Sequence, residues 1–271
     1  MEPGDITHYL ATASEAELEL EHLFDANEAI TILDVGACEG EETIRYLRRF
    51  PNARVYAFEP LPENQQLIRD NFRRYSITNA NVIAVAVSDR VGEATFHVST
   101  GHPDHEFAGR NWNYGNKSSS LLAPAAERPM YGWIEFPETI TVPCTTLDVF
   151  CQQHSIRSID FIHIDVQGAE HLVLAGAGRI LRHTTSLWLE VSDQRLYEGQ
   201  KLRSEIEGLL FAKGFSRTLE VRREIEGDQF YVNRRVPRTW SHLARRRLGV
   251  AASRVRSRLS RAIQSQSAEA Q

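Results

Sequence analysis

The sequence predicts an α/β fold built on a doubly wound sheet of about seven strands, with one antiparallel edge strand. Apolar β-type runs alternate with segments of helical periodicity, which is the pattern of parallel strands connected by helices. The first run, Ile32 to Val35, leads through Gly36 into a helical segment, and the second ends at Phe58-Glu59-Pro60. A chain of 271 residues is long enough to bury a full core around such a sheet.

The positions of strands and helices follow from the periodicity along the chain. The predicted parallel strands lie at about 30–36, 53–59, 81–87, 159–166 and 185–192. The predicted helices lie at about 14–25, 40–50, 62–75, 145–154, 169–181 and 199–213. Two further β-like runs, 214–220 and 229–233, have only a short polar turn between them, so we expect an antiparallel pair at the sheet edge.

A long segment interrupts this alternation between the third and fourth parallel strands. Its ends, 94–98 and 139–142, have strand-like composition and are expected to pair. The connection 99–138 is long for a compact domain, and such connections are usually functional or disordered. Its histidines and aromatic residues are His102, His105, Trp112, Tyr114, Tyr131 and Trp133. We therefore favour a substrate-facing cap over a surface excursion packed for stability.

The turn after the first strand has the features of a nucleotide-type cofactor site. Gly36 lets the backbone approach a ligand closely, and the helix expected to begin near Gly40 directs unpaired N–H groups toward it. Dinucleotide sites use a different glycine spacing, and Asp34 beside this turn would repel a pyrophosphate. A cofactor with an ammonium and a sulfonium suits the site better, so S-adenosylmethionine is favoured over NAD. Glu59 can bind the ribose hydroxyls of either cofactor.

The net charge of −5 is unevenly distributed. Residues 234–271 contain ten arginines and one acid, so this part carries +9 and the remainder −14. An acidic body argues against a nucleic acid substrate. The three cysteines, Cys38, Cys144 and Cys151, lack a metal-type spacing and are expected to be reduced. With no apolar stretch of membrane-spanning length and no signal pattern, we expect a cytoplasmic protein.

Three parts of the chain are predicted: an N-terminal helical segment at 1–29, an α/β domain at 30–235 that contains the cap, and a basic tail at 236–271. Apolar residues recur among the arginines of the tail at helical spacing, from Trp240 to Ile263. This pattern predicts a basic amphipathic helix. It could lie on an anionic membrane surface, bind an acidic partner or fold back on the acidic body.

A segment in the second half of the chain resembles a known family. Ser158 to Glu170, which includes Ile164-Asp165-Val166-Gln167-Gly168, is similar to the strand-four signature of the FkbM family of S-adenosylmethionine-dependent methyltransferases. The resemblance extends over about residues 30–192. It includes Leu33-Asp34-Val35-Gly36-Ala37, Phe58-Glu59-Pro60, Ala86-Val87-Ser88-Asp89, Ser118-Ser119-Ser120-Leu121 and Thr146-Leu147-Asp148.

The resemblance implies a class I methyltransferase (Rossmann-like) fold and O-methylation of a small molecule, sugar or glycan in a bacterial biosynthetic pathway. Position by position, it implies a set of cofactor-binding residues: Asp34, Gly36, Ala37, Gly40, Glu59, Pro60, Ser88, Asp89 and Asp165. Two positions depart from the family pattern, His163 where Lys is usual and Gln167 where Glu is usual. Because His163 and Asp165 alternate onto one face of a strand, the first departure changes a group close to the site.

An alcohol acceptor loses its proton during methyl transfer, so a general base within hydrogen-bond reach is expected. The candidates in this chain are Asp165, His163, His102 and His105, with His97 as a further alternative. Asp165 is the first choice because the end of a parallel strand faces the ligand crevice, although it could instead cap the next helix. For His163 we favour a structural role, in a pair with Glu190.

Three alternatives remain open from the sequence. The donor motifs do not define the acceptor atom, so N-methylation is the nearest enzymatic alternative. A non-catalytic binding protein could retain the same fold, and an NAD-dependent dehydrogenase is disfavoured by the glycine spacing. Asp165 and Asp193 could share a Mg²⁺ ion, but without a dense carboxylate cluster we predict no metal site.

Overall fold

The computed structural model describes residues 6–7, 9–103, 115–126 and 132–241. Six α-helices lie in this part of the chain: α1 (Glu15–Glu21), α2 (Glu41–Arg49), α3 (Pro62–Arg74), α4 (Leu147–Gln153), α5 (Glu170–Ala175) and α6 (Arg203–Ala212). The first five strands are β1 (Thr31–Val35), β2 (Arg54–Phe58), β3 (Ala80–Ile83), β4 (Ala86–Val87) and β5 (Gly92–Thr100). The others are β6 (Glu135–Thr145), β7 (Ile159–Ile164), β8 (Thr184–Ser192), β9 (Phe215–Arg222) and β10 (Glu226–Asn233). Short 3-10 helices span Tyr9–Ala11, Gly115–Lys117 and Ile180–His183.

A seven-stranded sheet forms the centre of the molecule, in the order β3-β2-β1-β7-β8-β10-β9. The pairs from β3 to β8 are parallel, and β10 is antiparallel to both of its neighbours. The predicted doubly wound sheet with one reversed strand is therefore confirmed. The reversed strand β10 lies one position inside the edge, and β9 forms the edge itself. The chain reverses direction of winding between β1 and β7, where the carboxyl ends of both strands open onto a crevice.

The central strands are apolar because helices cover both faces of the sheet. On one face, Phe150 of α4, Val173 of α5 and Leu210 of α6 belong to a buried cluster with Ile162 and Leu187. On the other face, α1 and α2 pack over β1, β7 and β10. That cluster contains Leu20, Tyr46, Ile32, Phe161 and Phe230, among others.

The third predicted strand, 81–87, is divided in the structure. Ala80–Ile83 pairs with β2 in the large sheet, whereas Ala86–Val87 pairs with β6 in a second, three-stranded sheet of order β4-β6-β5. The predicted pairing of 94–98 with 139–142 is confirmed, since β5 and β6 form a long antiparallel ribbon in this second sheet. The chain therefore bends at the edge of the site and carries the insertion away from the large sheet.

The predicted helix at 169–181 is shorter in the structure than expected. It ends at Ala175, and a 3-10 turn over Ile180–His183 follows. Gly176 has low helix propensity, and a Cβ there would lie 2.1 Å from the carbonyl oxygen of Ser88. Close packing against the chain after β4 thus takes precedence over helical continuation.

The N-terminal helix is confirmed at Glu15–Glu21. Ser14 caps it in a reciprocal arrangement with Glu17, in which each side chain accepts the other residue's backbone N–H. The predicted tail helix lies almost wholly in 242–271, outside the described residues. Within the described ranges, no helix has both the length and the apolar character that crossing a bilayer requires.

Candidate active site

A cavity that is partly open to solvent, with an empty volume of about 520 Å³, lies at the carboxyl ends of β1, β2 and β7. We call it the Glu59 cavity. Its floor comes from the first turn and from the residues after β2 and β7. Its lining includes Gly36, Cys38, Glu59, Pro60, Asn64, Val85, Ala86, Val87, Phe96, Asn116, Lys117, Ser119, Leu121, Asp165 and Gln167.

The first turn is fixed by hydrogen bonds to the end of β2. The N–H groups of Gly36 and Ala37 both donate to the Phe58 carbonyl oxygen, at 3.1 and 2.9 Å. Gly36 adopts a left-handed φ of 92°, and a Cβ at this position would lie 1.8 Å from the Asp165 carbonyl oxygen. The glycine therefore allows β1 and β7 to meet closely below the cavity. Gly40, with φ 78°, precedes α2 and packs against Phe72, but it does not line the cavity.

Glu59 bridges the first turn and the start of α3. Its Oε2 accepts the N–H of Cys38 at 2.9 Å and its Oε1 accepts the N–H of Leu61 at 2.9 Å. Burial raises the pKa of Glu59 to about 7, although these backbone N–H groups oppose the shift. Each oxygen retains further lone pairs, so the carboxyl can accept hydrogen bonds from two vicinal hydroxyls.

Asp34 lies at the end of β1 with 2% of its surface exposed. Thr43 of α2 donates a hydrogen bond to its Oδ2 at 2.5 Å. Burial, together with the nearby carboxylates of Glu42, Glu41 and Asp165, raises the pKa of Asp34 to about 8 against the opposing effect of the Thr43 hydrogen bond. A cation placed nearby would relieve this unfavourable negative charge.

A second cavity of about 870 Å³ adjoins the first on the face covered by α1 and α2. We call it the Trp188 cavity. Seven of its lining residues are acidic: Glu15, Asp34, Glu41, Glu42, Asp165, Glu190 and Asp228. Tyr9, Ser14 and Ala16 of the N-terminal segment close it on one side, and His163, Trp188 and Arg223 contribute from the sheet and its edge.

Of the residues in the described ranges, four line both cavities: Gly36, Cys38, Lys117 and Asp165. Asp165, directly after β7, is the only carboxyl group among them. Its Oδ1 accepts a hydrogen bond from Gln167 Nε2 at 2.7 Å, and the same nitrogen donates to Glu190 Oε2 at 3.1 Å. Gln167 thus holds the two carboxyl groups near one another by donating two hydrogen bonds, whereas an ionised glutamate in its place has no hydrogen to donate. The helix-cap alternative for Asp165 is not what the structure shows, because Glu170 accepts the N–H groups of Val166 and Gly168.

His163 faces the Trp188 cavity from β7, but its hydrogen-bond partner differs from the expected Glu190. Its Nδ1 lies 2.8 Å from the Tyr46 hydroxyl of α2, in the buried layer between helix and sheet. Burial lowers the pKa of His163 to about 4, so the ring is neutral near pH 7. The predicted pairing with Glu190 is wrong, because the observed partner is Tyr46, and a structural role for His163 stays a prediction.

Several predicted site residues lie apart from the two cavities. Ser88 is buried beside Thr145 and Asp89 is exposed, and neither lines the Glu59 cavity; Val85, Ala86 and Val87 occupy that side instead. His102 is exposed, with its Nδ1 at 2.8 Å from the Pro103 carbonyl oxygen, and lines neither cavity. His105 lies outside the described residues.

The described part of the insertion contributes residues that the sequence analysis did not identify as site residues. Asn116 and Lys117, from the 3-10 turn Gly115–Lys117, both line the Glu59 cavity. The neighbouring Ser118-Ser119-Ser120-Leu121 run supplied the signal that could have found them, since Ser119 and Leu121 line the same cavity. Ser120 Oγ donates to the Gln167 carbonyl oxygen at 2.8 Å and ties the insertion to the end of β7.

Among the described residues there is no cluster of three or more His, Cys, Asp or Glu side chains arranged to hold a metal ion. Asp193, one of the two carboxylates considered for Mg²⁺, is engaged by Arg203 through two hydrogen bonds of 2.7 and 2.9 Å. It therefore stabilises the packing of α6 against the end of β8.

The arrangement of a glycine turn after β1, an acid after β2 and an acid after β7 defines a cofactor-dependent group-transfer site of the class I methyltransferase type. A family model described as the methyltransferase FkbM domain matches residues 34–217. The chain belongs to this family. Its methyl donor is accordingly S-adenosylmethionine.

Comparison with curated proteins gives two relatives. The chain is 36% identical over 197 residues to the 2-O-methyltransferase NoeI of Sinorhizobium fredii strain NGR234, covering 73% of this chain and 76% of that protein. It is 27% identical over 216 residues to the AMB antimetabolite synthetase AmbE of Pseudomonas aeruginosa, covering 74% of this chain and 10% of that much longer protein.

Among solved structures, one similar chain is magnesium protoporphyrin IX methyltransferase from Synechocystis PCC 6803 with bound SAM. It has 12% identity and a TM-score of 0.47, and the match covers 84% of this chain and 80% of that one.

The residues present in the Glu59 cavity fit the donor by their chemistry. Glu59 offers two acceptor oxygens for ribose hydroxyls, and Val85, Ala86 and Phe96 offer apolar surface for a base. Asp34, which lines the adjoining Trp188 cavity, is an acidic group that would stabilise a sulfonium or ammonium placed beside it.

Proposed function

We propose that this protein methylates a hydroxyl group of a small molecule, sugar or glycan, with Asp165 as the general base. The observation that supports the proposal is that Asp165 is, among the residues the structure describes, the only carboxyl group lining both the Glu59 cavity and the Trp188 cavity. The donor occupies the first cavity and the acceptor the second. A base between them can reach the acceptor oxygen as it approaches the methyl group.

When bound, S-adenosylmethionine supplies an electrophilic methyl group on a sulfonium. The residues of this chain align the acceptor and remove its proton. Asp165 accepts the hydroxyl proton, and the Gln167 amide holds its carboxylate in place through the 2.7 Å hydrogen bond. The N-terminal segment covers the acceptor and excludes water, which favours methyl transfer over competing hydrolysis.

The lining of the Trp188 cavity supports an acceptor with several hydroxyl groups. Carboxylates of Glu190 and Asp228 accept hydrogen bonds from hydroxyls, and the indole of Trp188 offers a flat apolar surface. The acidic lining disfavours phosphate-rich acceptors such as nucleic acid. The relative NoeI is named as a 2-O-methyltransferase, which agrees with transfer to oxygen.

The same acidic lining also favours a protonated amine, so N-methylation is the second candidate. An alkylammonium group would pair with Glu190 or Asp228. It would still have to lose a proton before accepting the methyl group. Contact of the basic tail with a membrane surface or an acidic partner stays a prediction.

The test uses the full chain, methyl-labelled S-adenosylmethionine and pairs of acceptors that carry either a hydroxyl or an amino group at the same carbon. We expect the label on the hydroxyl member of a pair, located by fragmentation mass spectrometry. Labelling of the amino members alone would replace O-methylation by N-methylation. If the protein binds the donor but labels no member of a broad hydroxylated set, the non-catalytic alternative is favoured.

A further inference from the structure

Lys117 is the only cationic residue among the described residues that line the Glu59 cavity. It also lines the Trp188 cavity, so its position is the junction at which the two cavities meet. Its Nζ lies 2.6 Å from Glu41 Oε1, 3.9 Å from Glu39 Oε1 and 3.6 Å from the Cys38 sulfur. Burial would lower the pKa of this ammonium, but Cys38, Glu41 and Glu39 outweigh that effect and raise it well above its usual range. The side chain is therefore charged.

The backbone that carries Lys117 is held firmly against β5. Ser99 Oγ donates to the Gly115 carbonyl oxygen at 2.6 Å and accepts the N–H of Ser118 at 3.1 Å. A Cβ at Gly115 would lie 2.6 Å from the carbonyl oxygen of Gly101, so the turn packs directly on the chain after β5. A turn fixed on both sides can present its side chains at defined positions in the cavity.

Asn116, the residue before Lys117, has a side-chain carbonyl oxygen that accepts no hydrogen bond from the described residues. Its Nδ2 donates to Asn64 Oδ1 at 3.0 Å and to Glu39 Oε1 at 3.3 Å, which sets the orientation of the amide. Its Oδ1 is buried and has no hydrogen-bond partner within the described ranges. A buried carbonyl oxygen without a partner is costly, so an atom that donates to it from the cavity would be stabilising.

We propose that Lys117 binds the α-carboxylate of S-adenosylmethionine and that Asn116 Oδ1 accepts a hydrogen bond from its α-ammonium. This inference rests on the proposed function and assigns the amino-acid end of the donor to the insertion. The donor brings one anionic group into a cavity whose other charged lining residues, Glu59 and Asp165, are acidic. Among the lining residues of the Glu59 cavity, only Lys117 can attract that group.

The test compares three ligands by calorimetry on the full chain: S-adenosylmethionine, decarboxylated S-adenosylmethionine and methylthioadenosine. The second lacks only the carboxylate, and the third lacks the whole amino-acid end together with the positive charge of the sulfonium. We expect the wild-type protein to bind S-adenosylmethionine about tenfold or more tightly than its decarboxylated form, since a hydrogen bond to a charged group has about that effect. Equal affinity for these two ligands in the wild type overturns the proposal without any variant.

Substitutions of Lys117 and Asn116 test the carboxylate contact and the ammonium contact separately. Lys117→Met should weaken binding of S-adenosylmethionine by about 10- to 100-fold and that of the decarboxylated form by no more than about twofold. Asn116→Ala should weaken both of these ligands and leave methylthioadenosine unchanged. Lys201→Met is the matched control, because Lys201 forms a similar 2.7 Å ion pair with Glu205 on the surface. It should change none of the affinities.

Methylthioadenosine binding shows that a variant has kept its folded cavity. If Lys117→Met weakens all three ligands equally, the lysine only supports the fold and the carboxylate contact is wrong. Failure of the wild type to bind any of the three ligands would instead contradict the proposed function itself.

Discussion

At the scale of single residues, the site depends on a few positions where the backbone has no room for a side chain. Gly36 is the clearest, because both its φ of 92° and the 1.8 Å approach of the Asp165 carbonyl oxygen exclude a Cβ. Gly199 has a similar φ of 76° but open space around it. Replacing each of these two glycines by alanine therefore distinguishes the cost of a strained backbone from the cost of a steric clash.

Gly36→Ala should abolish donor binding and destabilise the protein by more than the ~1–3 kcal/mol expected from left-handed strain alone. Gly199→Ala should destabilise the protein only by the ~1–3 kcal/mol of left-handed backbone strain. Thermal unfolding and titration with S-adenosylhomocysteine measure the two effects. Equal destabilisation by both substitutions would show that the contact between β1 and β7 is not as close as described.

Asp165 is expected to act in turnover more than in donor binding. Asp165→Asn keeps the size of the side chain but removes the proton acceptor, so kcat should fall by about 10²–10⁴-fold. Binding of S-adenosylhomocysteine should change much less. Asp193→Asn is a control, because Asp193 also follows a strand but is bound to Arg203. A kcat within about threefold of wild type in Asp165→Asn would remove it from the mechanism.

His163 should make no contribution to the pH dependence of turnover near neutrality. Its pKa is lowered to about 4 by burial, so the imidazole is already neutral above about pH 5.5 and does not ionise near neutrality. The profile of kcat/KM against pH should keep its shape in His163→Asn, even if its height changes through loss of the Tyr46 contact. The disappearance of an ionisation near pH 6.5 in this variant would contradict the structural role.

At the scale of elements, one arginine of α2 anchors the N-terminal segment over the Trp188 cavity. Arg45 donates to the carbonyl oxygens of Thr12 and Tyr9 and forms a 3.1 Å ion pair with Glu17. Its guanidinium also lies 4.2 Å from the centre of the Tyr9 ring. The side chain is only 6% exposed, so these interactions are shielded from solvent.

Arg45→Met should therefore loosen the segment and weaken acceptor binding. Breaking a buried ion pair costs about 3–5 kcal/mol, which we expect to appear as faster hydrogen exchange over 9–21 and a raised KM for the acceptor. Arg48→Met, on the exposed side of the same helix, is the matched control. Unchanged exchange in Arg45→Met would show that the segment is held mainly by the apolar contacts of α1.

The sequence predicted the elements whose pattern is local. The central strands were found because both of their faces are buried, and the helix predicted at 14–25 is observed with a local capping box between Ser14 and Glu17. Asp165 was found because strand ends face the crevice. The split of the third strand and the entry of Lys117 into the site were missed, because both depend on the pairing of β6 with β4 and β5, and β6 is distant from these strands in sequence. The Tyr46 partner of His163 was missed because these two residues are also far apart in the sequence.

At the scale of the whole molecule, the concentration of buried acids links stability to pH. Burial raises the pKa of Asp34 and Glu170 to about 8 and that of Glu59 to about 7. In the unfolded chain these groups lose their protons near pH 4. Between about pH 4 and 8 the folded state therefore binds more protons than the unfolded state, and stability falls as pH rises.

The melting temperature of the donor-free protein should fall from pH 5.5 to 8.5, and Asp34→Asn should flatten part of that decrease. Thr43 can still donate to the amide oxygen, so the variant keeps its local hydrogen bond. A difference of about 1 kcal/mol corresponds to about 2–4 °C in a protein of this size. Asp25→Asn, at an exposed site, is the control. A melting temperature that rises over this range would show that the acids are not buried in protonated form.

The central claim is that the cavity beside Glu59 binds the methyl donor. Calorimetric titration of the purified chain with S-adenosylhomocysteine tests it most directly, with Glu59→Ala as the variant that removes the ribose acceptor. We predict one site per chain in the wild type and binding weakened by at least about tenfold in Glu59→Ala, as expected for lost hydrogen bonds to a carboxylate. Absence of binding in the wild type, or equal binding in the variant, would contradict the account.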